Sequence, residues 1–292
     1  MCEHHAPPPP ATPGRRTALT LLGASLAAAL GACAEPADQA SPASGPAAAT
    51  LSNPAVPQVA AVPVRPGSQR KPVLPDEGLA RRGRARYTPD FRLPPIQNGL
   101  APVLTKIDTK HPVVFLTIDD GVTKTPEMAR LMAEYDYPAS IFLTRNFVRD
   151  NPDFFKQFAA QGSLVENHTV SHNINMVSQL GYQQQLAEIT GMQDYAQQQF
   201  GRRPTLFRPP GGAYSVAMRQ AVAAAGMKAI ITWEAKSNAG HMDYQYGKGL
   251  RPGDIVLMHF RPEFAADLAA FRAAQHAAGL EVVLLEDFLG VA

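Results

Sequence analysis

Cysteine is almost missing from this sequence. The 292-residue chain has two, Cys2 and Cys33, and both precede the part that reads as folded. That part has no thiol, which excludes disulfides and thiolate metal sites from it. Strong charge of either sign is missing too. The formal net charge is +2, so no field points to nucleic acid. A permanent membrane helix needs about 20 apolar residues, and the Leu/Ala stretch from Thr17 to Ala32 falls short of that. No Gly-x-Gly-x-x-Gly follows the first strong strand, which argues against a dinucleotide-binding fold. Proline is scarce where strands and helices alternate, since 17 of the 27 prolines fall before residue 101.

The first third is therefore compositionally a separate object. Residues 1–14 are polar and proline-rich, then come Arg15-Arg16 and the apolar stretch. A basic flank, a short apolar region and small residues make residues 1–32 a secretory signal. It ends in Leu30-Gly31-Ala32-Cys33, which resembles a bacterial lipobox, where the cysteine becomes the lipidated first residue. Ordinary cleavage nearby is the alternative, and the Arg pair also resembles a twin-arginine signal. Lipidation at Cys33 would anchor the chain at the outer face of the cell membrane, each buried acyl CH₂ contributing ~0.8 kcal/mol.

Residues 33–100 read as a Pro/Ala-rich linker. Up to about Gly78 they offer too little apolar surface to offset their ordering entropy. Arg81, Arg82, Arg84 and Arg86 suit either an anionic wall or lipid surface or a solvated spacer. Aromatic and apolar residues return between Tyr87 and Asn98, where packing is expected to begin.

Residues 101–292 alternate strand and helix. Val113 to Ile118 is a β-branched and aromatic run, the pattern of a strand buried on both faces. It ends in Asp119-Asp120-Gly121, and two acids at such a place demand a partner. A hairpin turn is the alternative reading of Asp-Gly. Thr125-Pro126 instead starts a helix directly afterwards. Further strands are expected at Ala139–Leu143, Leu164–Glu166, Leu206–Phe207, Lys228–Thr232, Ile255–Met258 and Val282–Leu285. Helices are expected over Thr125–Asp136, up to Ala160, over Tyr182–Phe200, from Ser215 to Gly226 and through Ala269. This predicts an α/β fold, a distorted (β/α) barrel of about seven strands in a single domain, with a doubly wound open sheet as the alternative.

Chemistry in a parallel barrel collects at the carboxyl ends of strands. Those ends carry Asp119 and Asp120, Glu166 with His168 and His172, Arg208, Trp233 and His259. The i, i+4 spacing of His168 and His172 puts both imidazoles on one side of a helical turn. With one carboxylate they make a facial site for Zn²⁺ or a similar divalent ion. Core or surface histidines are the commoner explanation of such a pair alone, but the adjacent acids favour a metal. Arg208-Pro-Pro-Gly-Gly can orient a carboxylate and present a backbone N–H. His259, ending an apolar strand, suits a proton donor.

Thr117-Ile-Asp-Asp-Gly121, His168-Thr-Val-Ser-His172, Arg208-Pro-Pro-Gly-Gly212 and Leu257-Met-His259 resemble the ordered motifs of the polysaccharide deacetylases, the NodB-homology enzymes of carbohydrate esterase family 4. The resemblance implies metal-dependent removal of N-acetyl groups from cell-wall glycan, peptidoglycan amino sugars first among the substrates. It implies that Asp120, His168 and His172 hold a divalent ion, zinc before cobalt or another. It makes Asp119 the base, Arg208 its orienter and His259 the acid, with Leu257 lining the acetyl pocket and Gly211 and Trp233 beside the substrate. Its partners would be acetylated wall glycan and, through Cys33, a membrane, with no nucleic acid; a monomer is expected. A weakly active or non-catalytic wall-binding lipoprotein is the alternative. Two departures stand out. Gly211 replaces an aromatic residue, and the segment after Trp233 carries Lys236 where the family has an aspartate supporting the histidine. A nearby lysine would depress the pKa of His259, with Glu234 or Asp243 as candidate compensators.

Overall fold

The computed structural model describes residues 87–292, so the signal, Cys33 and the linker up to residue 86 lie outside the described residues. The strands are β1 (Val103–Leu104), β2 (Val113–Asp120), β3 (Ser140–Leu143), β4 (Leu164–Asn167), β5 (Leu206–Phe207), β6 (Ala229–Ile231), β7 (Ala235–Asn238), β8 (His241–Tyr244), β9 (Ile255–His259) and β10 (Glu281–Val282). The helices are α1 (Pro126–Tyr135), α2 (Arg145–Val148), α3 (Asp153–Ala160), α4 (Met176–Gln179), α5 (Tyr182–Phe200), α6 (Val216–Ala224), α7 (Phe264–Ala278) and α8 (Leu285–Leu289). Among the described residues, no helix is long and apolar enough to cross a membrane.

One sheet runs β1-β6-β5-β4-β3-β2-β9-β7-β8, and β10 adds to β2. Every pairing is parallel except the β7–β8 hairpin. Side chains alternate across a strand, and β2 shows what that does. Val114, Leu116 and Ile118 face outward, onto Met128 and Met132 of α1, the three phenylalanines of α3 and Phe264 and Phe271 of α7. Val113 and Phe115 face inward, where they meet Leu104, Phe142, Leu206, Ile231 and Ile255 from five other strands. Residues so far apart in strand order share one inner cluster only because the sheet curls into a half-barrel. The expected distorted barrel is therefore present, as a half-barrel whose sheet has ten strands where about seven were expected. Tyr87, Phe91 and Leu93 pack against the inner cluster, and Tyr87 stacks on His111 at 4.8 Å.

Several elements differ from the expectations. The final apolar run forms strand only over Glu281–Val282 and then turns into α8. Val283, Leu285 and Phe288 join the inner cluster, so α8 packs against the concave face. The β7–β8 hairpin follows Trp233 in a segment too polar to read as strand. Helix α5 spans the expected residues and ends at Gly201 in the left-handed conformation.

Glu166 is not part of the strand-end constellation. It is buried within the half-barrel, where Oε1 takes a bond from Arg202 at 2.8 Å and Oε2 takes the amides of Thr205 and Leu206 at 2.8 and 2.6 Å. Glu286 of α8 lies close enough to feel that charge, and only Ser140 donates to it, at 2.7 Å. Burial, then repulsion from Glu166, pushes the Glu286 carboxyl well above the usual range. Between the unfolded and folded pKa values, the fold keeps a proton that the unfolded chain releases. Stability therefore falls as pH rises through that window. Glu286→Gln should melt higher than the wild type above about pH 5, with the gap widening toward neutrality. Parallel melting curves for the two proteins would assign the slope to another group.

Candidate metal centre and active site

The site is built on the end of β2. Asp119 is buried, and its Oδ1 accepts a bond from Arg208 Nη1 at 2.7 Å. Arg208 is wholly buried. Its remaining donors reach Thr117 Oγ1 at 2.7 Å and the carbonyls of Ile231 and Thr232 at 3.1 Å each, while its guanidinium lies 4.4 Å over the Phe142 ring. Thr117, the first polar residue of the strand, passes its own proton to the Val256 carbonyl at 2.7 Å. Burial lowers the Arg208 pKa and Asp119 raises it again; an arginine stays charged regardless.

Adjacent residues on a strand should point to opposite faces. Asp120 escapes that rule because its φ is +79°, a left-handed backbone. Its Oδ1 therefore comes within 3.5 Å of His168 Nε2, while Asp119 Oδ2 lies 3.7 Å from the same nitrogen. Gly121 continues the turn at φ +87°, where a Cβ would collide with Val148.

His168 and His172 do not lie on a helical turn. They flank an irregular loop after β4 in which Thr169 (φ +73°) and His172 (φ +60°) are both left-handed. Asn167 Oδ1 accepts from the Thr169 amide at 2.9 Å, and Glu188 of α5 accepts from Val170 and Ser171 at 3.0 and 2.8 Å. Nothing in a run of helical spacing signals this. The loop nonetheless brings His172 Nε2 to 2.9 Å from Asp120 Oδ1.

These residues fit a divalent ion. One ligand atom from each of Asp120, His168 and His172 lies within 4.8 Å of the others. Asp120 Oδ1 is buried without a hydrogen-bond donor, although two imidazole nitrogens approach it off the alignment such a bond requires. His168 Nδ1 bonds the Arg208 carbonyl at 2.7 Å, which puts its proton there and leaves Nε2 free to coordinate. Burial raises the Asp120 carboxyl, but the two imidazoles outweigh it and hold the group well below the usual carboxylate range.

Trp233 packs on Gly212, where a Cβ would come within 2.6 Å of the indole, and its ring lies 5.9 Å from the Arg208 guanidinium. The Gly212 amide is taken by Pro209 at 2.9 Å, and Gly211 sits at φ +70° against Ile174. Leu257 is buried beside Thr117. His259 pairs in register with Asp119. Its Nδ1 accepts from Arg261 at 2.8 Å. Burial foremost, then Arg261 and His168, lower the His259 pKa against the pull of Asp119 and Asp120. The cation that bonds His259 is thus Arg261, not Lys236, which pairs with Asp243 at 3.3 Å. Glu234 is engaged by Arg251, so neither candidate compensator supports His259.

A family model described as polysaccharide deacetylase matches residues 106–230. An uncharacterized protein of Streptomyces coelicolor is 36% identical over 173 residues, which cover 59% of this chain and 69% of that protein. The chain belongs to the polysaccharide deacetylase family. It is also similar to a peptidoglycan-N-acetylglucosamine deacetylase of Bacillus cereus, at 26% identity over 54% of this chain and 76% of that enzyme. The fold is shared with a carbohydrate esterase family 4 pseudoenzyme of Bacillus anthracis, with a TM-score of 0.56, 20% identity and coverage of 66% of this chain and 70% of that one. The deacetylase match ends at Ile230, so Trp233, Leu257, His259 and Arg261 lie beyond it.

The donor set makes a direct test. Dialysed against Zn²⁺, the protein should retain close to one ion per chain by elemental analysis. A His168→Ala/His172→Ala variant should retain none, and a wild type that stays empty would remove the metal centre.

Proposed function

We propose that this chain is a divalent-metal-dependent N-deacetylase of cell-wall polysaccharide, with peptidoglycan amino sugars as the first substrate class. The observation that carries this reading is the convergence of Asp120, His168 and His172 beside a second carboxylate held by a buried guanidinium. A divalent ion bound there, zinc in the first instance, would polarise the acetamide carbonyl and acidify a water.

The chain's own residues supply the rest. Arg208 fixes Oδ1 of Asp119 and so leaves Oδ2 as the oxygen that takes a proton from the attacking water. The Gly211 N–H is the backbone donor for the developing oxyanion. Leu257 supplies an apolar wall for the acetyl methyl, and Trp233, held on Gly212, flanks the sugar. His259 faces the Asp119 end of β2 and donates to the leaving nitrogen. Export and anchoring through Cys33 complete the reading, because the substrate lies outside the membrane. Labelled palmitate should enter the full chain expressed in bacteria and be lost in Cys33→Ser; equal labelling would reject the anchor.

A second reading has one observation in its favour. His259 is bonded by a cation where a carboxylate would favour its protonation. That suits a glycan-binding protein with little turnover. Acetate release from N-acetylglucosamine oligomers and from peptidoglycan, with Zn²⁺ or Co²⁺ added, separates the two. Asp119→Asn should lower kcat by about 10²–10⁴-fold, the usual worth of a general base. Glycan pull-down by both proteins with no acetate from either would establish the binding reading instead.

A further inference from the structure

Three groups beyond the matched family region form a chain that ends in the site. Arg261 Nη2 lies 2.8 Å from His259 Nδ1. Its Nε faces Asp267 Oδ2 at 3.4 Å, and both of these atoms are buried with no hydrogen-bond partner. Asp267, wholly buried in the first turn of α7, is itself fixed: Oδ1 accepts from the Gly240 amide at 2.8 Å and its carbonyl from Ser237 Oγ at 2.6 Å. The β7–β8 hairpin thus holds the carboxylate, the carboxylate faces the guanidinium, and the guanidinium meets the ring.

A guanidinium has donors and no acceptor. The ring nitrogen that meets it must therefore offer a lone pair, and in a neutral imidazole the proton then sits on the other nitrogen. The other charged or titratable groups acting on His259 are Asp119 and Asp120 of β2 and His168 of the loop after β4. None of these takes Nδ1, so Arg261 decides the tautomer.

We propose that Arg261, steadied by Asp267, is a positioning residue that fixes His259 as the Nε2–H tautomer and so presents that N–H to the reacting centre. The role assigned to the N–H rests on the deacetylase reading; the tautomer does not. The same arrangement replaces the carboxylate that the family resemblance leads one to expect on this histidine. A full positive charge on the ring would require His259 to give up its bond to Arg261, so the neutral ring meets the leaving nitrogen as a hydrogen-bond donor, and the proton that nitrogen gains is the one Asp119 has taken from the attacking water.

The test is the ¹⁵N–¹H long-range spectrum of the full chain labelled at histidine nitrogen, with His259 assigned by the loss of its signals in His259→Gln. The expected wild-type pattern near neutral pH is a bare Nδ1 and a protonated Nε2. Arg261→Ala should shift His259 toward a mixture of tautomers, and Arg261→Lys, which keeps one donor, should restore the single form. A wild-type ring protonated at Nδ1 overturns the proposal, as does an unchanged spectrum in Arg261→Ala. The wild-type pattern decides even if a variant fails to fold. In acetate release, kcat of Arg261→Ala should fall about tenfold or more with KM unchanged, with partial recovery in Arg261→Lys. A wild type with the expected spectrum but no acetate release would refute the deacetylase reading while leaving the positioning role intact.

Discussion

The buried pair of Arg208 and Asp119 is the constraint on which the site depends. Two ions removed from water cost several kcal/mol each unless their geometry and hydrogen bonds offset it. Here the offset is assembled from four strands. Thr117 and Asp119 come from β2, the Phe142 ring from β3, Arg208 from the end of β5, and the Ile231 and Thr232 carbonyls from the end of β6. The same arginine carries a second task on its backbone, since its carbonyl accepts the Nδ1 proton of His168. One residue thereby aims the free carboxylate and sets the tautomer of a candidate metal ligand. Removing either partner would strand a buried charge, a loss of about 3–5 kcal/mol, and would disturb both halves of the chemistry together.

A second constraint is in the backbone. Regular alternation would turn Asp120 away from Asp119. The left-handed conformations of Asp120 and His172 put donor atoms where extended residues could not. Strained positions of this kind cost on the order of 1–3 kcal/mol each and persist where neighbours over-determine them. Asn167 and Glu188 do so by bonding the amides of the loop between the two histidines.

These two constraints explain what was legible in the sequence. The Val113–Ile118 run is apolar on both faces because α1, α3 and α7 cover one side and the inner cluster the other. That double burial leaves a plain trace, and the acids at its end mark the site. The convergence of the two histidines with Asp120 was readable, but the conformation that achieves it was not. Spacing of four suggests a helical turn, whereas side-chain bonds from residues up to 18 positions away hold an irregular loop. The β7–β8 hairpin gave no signal because its exposed face is polar and it is stabilised by pairing with β9. Lys236 was the visible cation, yet it spends its charge on Asp243. Arg261 is two residues past His259, on a turn whose geometry no local pattern reports.

The site therefore divides along β2. On one flank, the chain after β4 supplies His168 and His172 and the chain after β5 supplies Arg208 and the glycine loop, all within the region that matches the family. On the other, β9, the β7–β8 hairpin and α7 supply His259 with Arg261 and Asp267 behind it. The flanks meet at Asp119, whose side chain bonds Arg208 and whose carbonyl accepts the Phe260 amide at 3.1 Å. Because the contacts around Arg208 do not include Arg261 or Asp267, a change of charge on the donor flank leaves the bonds that hold Asp119 in place. A cation behind His259 is such a change. It leaves Asp119, Asp120, His168 and His172 arranged as the proposed metal centre and base require and, on that proposal, alters only the means by which the leaving nitrogen is met.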